Sequence, residues 1–128
     1  MTVAALLSSA ARRFGDREAL VAGTTRLTYA EMDARANQLA HGLIARGLEP
    51  GDRAAIWLDN SAEAVIAIWA VLKAGGVMTP LNAGLKSAKL GYILNDTRAK
   101  LLITDAGRAG RLGAETPHLA GVLTTADF

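Results

Sequence analysis

The chain has 128 residues, with 14 Lys plus Arg against 12 Asp plus Glu and no cysteine. That length favours one domain, burying roughly two-thirds of its unfolded surface. A net charge of +2, spread without a basic run, excludes a nucleic-acid partner, and the missing cysteines exclude disulfides, thiolate zinc sites and cysteine nucleophiles.

Thr2 to Phe14 place Val3, Leu6, Leu7, Ala10 and Phe14 at helical spacing, with Arg12 and Arg13 in the last turn, so a short amphipathic helix is expected. The arginines follow the apolar run, the wrong order for a secretory signal, and the default location is cytoplasmic. Ala19 to Ala22 and Arg26 to Thr28 flank Gly23-Thr24-Thr25 and predict a small β-hairpin.

Thr28 and Glu31 form a capping-box pattern. Tyr29, Met32, Ala36, Leu39 and Leu43 then make one apolar stripe, which predicts a helix from Tyr29 to about Arg46, closed by Gly47 and Pro50. Arg53 to Leu58 reads as a strand, and Asn60 with Glu63 as the start of a helix over Ala62 to Ala74. This helix is apolar on nearly every side and calls for burial all round. Its apolar run, Ala62 to Leu72, is still far short of the ~20 residues that span a bilayer, so no membrane span is expected.

Gly75-Gly76 closes that helix with a left-handed cap, and Val77 to Thr79 is the next strand. Ser87 is the expected cap of a helix carrying Leu90, Ile93 and Leu94. Lys100 to Thr104 reads as a strand, Asp105 to Gly113 as a weak helix and Gly121 to Leu123 as a last strand. The expected fold is α/β, a layered parallel sheet with flanking helices in the order βαβαβαβ, preceded by a short helix and a small β-hairpin.

Four strings occur in order between Leu27 and Asp105: LTYAEMDARANQLAHGL, LEPGDRAAIWLDNSAEAV, AVLKAGGVMTPLN and GYILNDTRAKLLITD. Together they resemble the N-terminal portion of the adenylate-forming enzymes, the AMP-dependent acyl-CoA synthetase and ligase superfamily. The resemblance implies that residues 1–128 form a single N-terminal subdomain of a larger domain. In that superfamily a carboxylate attacks the α-phosphate of Mg-ATP, and a thiol such as that of coenzyme A captures the acyl-adenylate. ATP, Mg and CoA are thus implied for the full-length enzyme and none for this chain. The Ser/Thr/Gly-rich phosphate loop, the later Tyr and Glu motifs, the ribose-binding Asp and the catalytic Lys are expected beyond Phe128. LDNSAEAV and LKAGG look more like bacterial acyl-CoA ligases than amino-acid-activating domains. The expected function is therefore an N-terminal fragment of an ATP-dependent acyl-CoA ligase, inactive alone. Its expected partners are the missing family segments, or a second copy, met through the helix bearing Val65, Ile68 and Trp69. A stand-alone module that completes a separately encoded enzyme is one alternative; a small nucleotide-binding domain is another.

That last alternative rests on Gly107-Arg108-Ala109-Gly110-Arg111-Leu112-Gly113, where amides and guanidiniums after a strand suit a phosphate. Its glycines are spaced by three and it has no lysine-hydroxyl pair, so a loop or frayed helix is the simpler reading. Gly23-Thr24-Thr25 matches three letters of the family's phosphate loop but lacks its Pro-Lys-Gly tail and reads as a turn. His41 and His118 have no partner in sequence, and Glu31 and Glu63 are explained as caps. Trp57 and Trp69 suit core packing, with an acyl pocket as the lesser reading. No catalytic, cofactor-binding or metal-binding residue is assigned.

Overall fold

The computed structural model describes residues 2–112 and 116–128. A helix, α1 (Val3–Phe14), leads into an antiparallel hairpin of β1 (Glu18–Ala22) and β2 (Thr25–Thr28), then α2 (Tyr29–Ala45). There follow β3 (Arg53–Trp57), α3 (Ala62–Lys73), β4 (Val77–Pro80), α4 (Ser87–Thr97), β5 (Leu101–Thr104), α5 (Ala106–Ala109), β6 (Gly121–Thr124) and a 3-10 turn over Thr125–Asp127. From β3 onward this is the expected βαβαβαβ order.

The four later strands form one parallel sheet in the order β4-β3-β5-β6. The chain steps from β3 to β4 on one side and returns through α4 to β5 on the other. Helices from these two crossovers therefore fall on opposite faces. On one face α2 and α3 pack Leu39, Leu43, Ile66 and Val71 against Ala54, Ile56, Leu101 and Ile103. On the other, Leu90 and Leu94 of α4 pack against Ala55, Trp57 and Leu102. Covering both faces explains why β3 and β5 read as unbroken apolar runs rather than as alternating ones.

Local signals set most of the termini. The Thr28 hydroxyl accepts from the Glu31 amide at 3.1 Å while the Glu31 carboxylate accepts from the Thr28 amide at 3.0 Å, completing the capping box. Those bonds hold the Glu31 carboxyl below its ordinary range, the backbone bond from Thr28 contributing most. Two caps differ from expectation. Ser61, not Asn60, has the extended backbone of an N-cap, and its hydroxyl accepts from the Ala64 amide at 3.2 Å. Lys86, not Ser87, is the N-cap of α4: Lys86 has the extended backbone and Ser87 is already helical, its hydroxyl donating to the Arg111 carbonyl at 2.6 Å.

Gly75 takes φ +81°, the left-handed conformation expected past a helix end. Gly76 is tight for another reason. A Cβ there would lie 3.1 Å from Leu48 and Val71 side-chain atoms and 3.3 Å from the Asp52 carbonyl oxygen.

The apolar helix α3 buries Ala62, Ile66, Ala67, Ala70 and Val71. Val65 and Trp69 are half-buried against Leu7, Met32 and Ala36, so α1 and α2 together cover much of the face the sheet leaves open. A polar tie crosses these three helices: Lys73 Nζ lies 2.7 Å from Asp33 Oδ1 and donates to Ser8 Oγ at 2.7 Å, and Ser8 Oγ donates to Asp33 at 3.2 Å. Among the described residues no helix is long and apolar enough to cross a membrane.

Candidate functional site at the C-terminal rim of the sheet

Reversal of strand order between β3 and β5 makes their C-terminal ends diverge, and in open α/β sheets this is where ligands settle. The residues there are Trp57 at the end of β3 with Leu58, Asp59 and Asn60 after it, and Thr104 at the end of β5 with Asp105 after it. Thr104 is fully buried, and its hydroxyl donates to the Trp57 carbonyl at 2.7 Å, fixing one strand end against the other.

Arg108 fills the crevice. Asp105 caps α5 by accepting from the Arg108 amide at 2.7 Å, which turns the Arg108 side chain back over the sheet. One guanidinium nitrogen then lies 2.8 Å from Asp59 Oδ1, another binds the Asp105 carboxylate, and Nε donates to the Ala83 carbonyl at 3.3 Å. Loops after β3, β4 and β5 thus converge on one cation. Asp59 and Asp105 raise the Arg108 pKa above its ordinary value, and the amide of Arg108 is the leading cause that lowers Asp105 below its own.

Trp57 lies beneath this network, with the guanidinium carbons of Arg108 and Arg111 at 5.9 and 5.8 Å from its ring centroid. Among the described residues, cavities open on the rim. One, of about 340 Å³, is lined by Leu58, Asp59, Asn60, Leu81, Asn82 and Ala83. The other, of about 260 Å³, lies between the loop after β4, the start of α4 and Arg111, with Trp57 in its wall. A third cavity, of about 420 Å³, lies away from the rim among Arg35, Gln38, Glu63, Ile66, Thr125 and Phe128.

Among the described residues, the Gly107 to Gly113 string is not a single continuous loop. Its first part is the short helix α5, Arg108 is committed to two carboxylates, Arg111 is exposed, and Gly113 lies outside the described residues. Gly23 is a hairpin turn with φ +60°. His41 and His118 are both exposed and take no part in the rim. Trp57 is interior, as expected, and Trp69 packs between helices rather than lining a rim cavity. The reading of the sequence missed Asp59 and Lys86. Asp59 is 49 residues from its partner Arg108, and only the register of β3 on β5 unites them.

Among the described residues there is no cluster of three or more His, Cys, Asp or Glu placed to hold a metal. The rim offers hydrogen-bond donors, cations and shape, the equipment of a surface that binds or positions.

Comparison with known proteins agrees with this architecture. The family model described as AMP-binding enzyme matches residues 7–126. Phosphinothricin tripeptide synthetase PhsC of Streptomyces viridochromogenes is 42% identical over 110 residues, 86% of this chain and 10% of the synthetase. Tyrocidine synthase 1 of Brevibacillus parabrevis is 38% identical over 99 residues, 77% of this chain and 9% of that protein. The chain therefore spans a small part of the length of these relatives. The N-terminal domain of FACL13 from Mycobacterium tuberculosis superposes with a TM-score of 0.89 at 28% identity, covering 98% of this chain and 34% of that one. The N-terminal subdomain of Klebsiella oxytoca NpsA superposes with a TM-score of 0.87 at 28% identity, covering 98% and 31%. With nearly its whole length matched by the family model and by the fold, this chain belongs to the AMP-binding enzyme family.

Proposed function

We propose that the chain forms the N-terminal subdomain of an adenylate-forming enzyme that activates an amino acid with ATP. One observation carries the choice of substrate class: the chain is 42% identical over 86% of its length to a peptide synthetase, against 29% to a Mycobacterium tuberculosis fatty acyl CoA synthetase. Within this reading, chemistry at the α-phosphate of Mg-ATP belongs to family segments other than residues 1–128. The chain supplies a rigid sheet rim and its Arg108 tie. An acyl-CoA ligase is the second reading, supported by the TM-score of 0.88 to that fatty acyl CoA synthetase.

Contact with the rest of the enzyme, or with a second copy, through Val65, Ile68 and Trp69 belongs to the same proposal. These residues remain partly at the surface after α1 and α2 have packed. Size-exclusion and sedimentation measurements on the chain test it. A strict monomer that also ignores the remaining family segments overturns it.

The activity test is ATP–pyrophosphate exchange with the purified chain, alone and mixed with those segments, over a panel of amino acids and a panel of fatty acids. Exchange in the mixture with amino acids supports the first reading, and with fatty acids the second. Exchange by the chain alone overturns the assignment of the chemistry to other segments, and exchange in neither case overturns complementation.

A further inference from the structure

The inner face of α1 is fastened to the rest of the chain. Leu7 packs against Met32 and Ala36, and Ser8 joins Lys73 and Asp33. Its outer face is apolar as well. Val3, Leu6, Ala10 and Phe14 recur at helical spacing along one stripe. Val3 is 59% exposed, Leu6 52% and Phe14 42%, with Ala10 half-buried between them. Solvating large apolar side chains along one short helix is a cost that a covering surface removes.

The C-terminal end of the stripe is positively charged. Arg13 continues the line of Leu6 and Ala10 by spacing, and the guanidinium carbon of Arg17 lies 4.9 Å from the centroid of the Phe14 ring. Arg12 stands beside them. Among the described residues none of these three arginines forms an ion pair. No acid occurs from Thr2 to Gly15; the first is Asp16, and the next, Glu18, is held by Arg26 at 2.8 Å.

The surface that covers this face must therefore be apolar and anionic together. A second copy of α1 does not qualify, because pairing would set arginines against arginines or against the positive N-terminal end of the other helix. A specific protein interface carries directional hydrogen bonds across its area, and the side chains of Val3, Leu6, Ala10 and Phe14 offer none. A bilayer with acidic headgroups combines an apolar interior with a phosphate layer and requires no fixed partner geometry.

We propose that α1 lies flat on an anionic membrane surface. Val3, Leu6 and Phe14 enter the boundary between headgroups and acyl chains, and Arg13 and Arg17 meet lipid phosphates. At roughly 18 Å, α1 is too short to span a bilayer and long enough to lie in its interface. Docking of this kind is peripheral and reversible, and it does not depend on which acid the enzyme activates.

The chain has no cysteine, so Leu6→Cys and Tyr92→Cys each accept a single polarity-sensitive dye. Tyr92 is 70% exposed on α4, across the sheet from the helices on which α1 packs. The probes are vesicles of phosphatidylcholine alone and of phosphatidylcholine with phosphatidylglycerol in equal parts, followed by flotation and by dye emission. The expected result is binding to the mixed vesicles only, weakened by added salt, with a blue shift of the dye at position 6 and none at position 92. Arg13→Gln with Arg17→Gln should weaken binding at least about tenfold, while Arg13→Lys with Arg17→Lys should retain most of it. Val3→Ser with Leu6→Ser should also abolish flotation; both side chains are exposed, and an unchanged urea midpoint verifies that the fold is kept. No binding to the mixed vesicles, equal binding to both kinds, unchanged affinity in the glutamine variants, or an equal dye shift at position 92 would overturn the proposal. Salt-sensitive binding of polyglutamate at α1 without vesicle binding would assign the face to an acidic protein and overturn it likewise.

Discussion

The guanidinium of Arg108 lies 2.8 Å from the carboxylate of Asp59 across the point where the strand order of the sheet reverses. The two partners are unequal: the Asp59 side chain is 75% exposed and that of Arg108 is 12% exposed. Removing each should therefore have a different effect. Asp59→Ala deletes an exposed acceptor and should cost under about 1 kcal/mol, in the range of surface pairs. Arg108→Ala removes the group that Asp59, Asp105 and the Ala83 carbonyl share, and should cost about 1–3 kcal/mol. Urea midpoints of the two variants check the asymmetry, and equal losses would refute it.

Acid should act on the same network through Asp105. Its folded-state pKa is depressed, first by the Arg108 amide and then by the guanidinium. A depressed carboxyl adds stability that is present above its unfolded value of ~3.9 and is lost as pH falls through the folded value. Asp105→Asn keeps a capping oxygen but does not titrate, so stability of that variant should fall less between about pH 5 and pH 2 than that of the parent. Denaturant midpoints measured across this range decide the point.

The parallel sheet also makes a symmetrical prediction. Leu101 and Leu102 are adjacent, fully buried and on opposite faces, one packed with α3 and the other with α4. In a sheet with one solvated face, only one of the two would matter. Here Leu101→Ala and Leu102→Ala should each cost about 2–5 kcal/mol. A loss below about 1 kcal/mol at either position would contradict the two-sided core.

Much of this fold was legible because its signals are local. Thr28 with Glu31, the stripe from Tyr29 to Leu43, and Gly75 past a helix end each declare themselves within a few residues. The caps at Asn60 and Ser87 were misplaced for a physical reason. Asn, Ser and Thr all make good caps, and the choice falls to the residue whose backbone is extended where the helix starts. Ser61 is extended and its hydroxyl accepts from the Ala64 amide, whereas Ser87 is already helical and donates its hydroxyl to the Arg111 carbonyl, 24 residues away. The rim was less legible still. Arg108 and Arg111 look equivalent in a Gly-rich string, and only the pairing of Trp57 with Thr104 sets Asp59 beside one of them.

Gly76 tests how closely the α3 to β4 junction is packed. An added Cβ would press on Leu48 and Val71 at 3.1 Å and on a backbone carbonyl at 3.3 Å. Side chains can yield by a few tenths of an ångström, but the Asp52 carbonyl accepts from the Val77 amide at 2.8 Å and is held in place. Gly76→Ala should therefore destabilise by about 1–3 kcal/mol. Gly75→Ala, in open contact with Pro50 but at φ +81°, should cost about 1–2 kcal/mol from backbone strain alone. Thermal midpoints of both variants below that of the parent are the expected outcome.

The tie among Lys73, Asp33 and Ser8 lies where α1, α2 and α3 meet, and its side chains are mostly covered, Lys73 being 9% exposed. Burial makes the order of removal matter. Asp33→Ala leaves an ammonium facing Ser8 with no counter-charge, while Lys73→Met with Asp33→Leu removes both charges and fills the space with carbon. The single change should cost about 2–4 kcal/mol and the paired change clearly less. Ser8→Ala removes a neutral bridging hydroxyl and should cost about 1 kcal/mol. If α1 is fastened mainly by this tie, Asp33→Ala should also speed amide exchange in α1 before it affects β3 or β5. If Leu7 packing against Met32 and Ala36 fastens it instead, exchange in α1 should stay at the parent rate despite the loss of global stability.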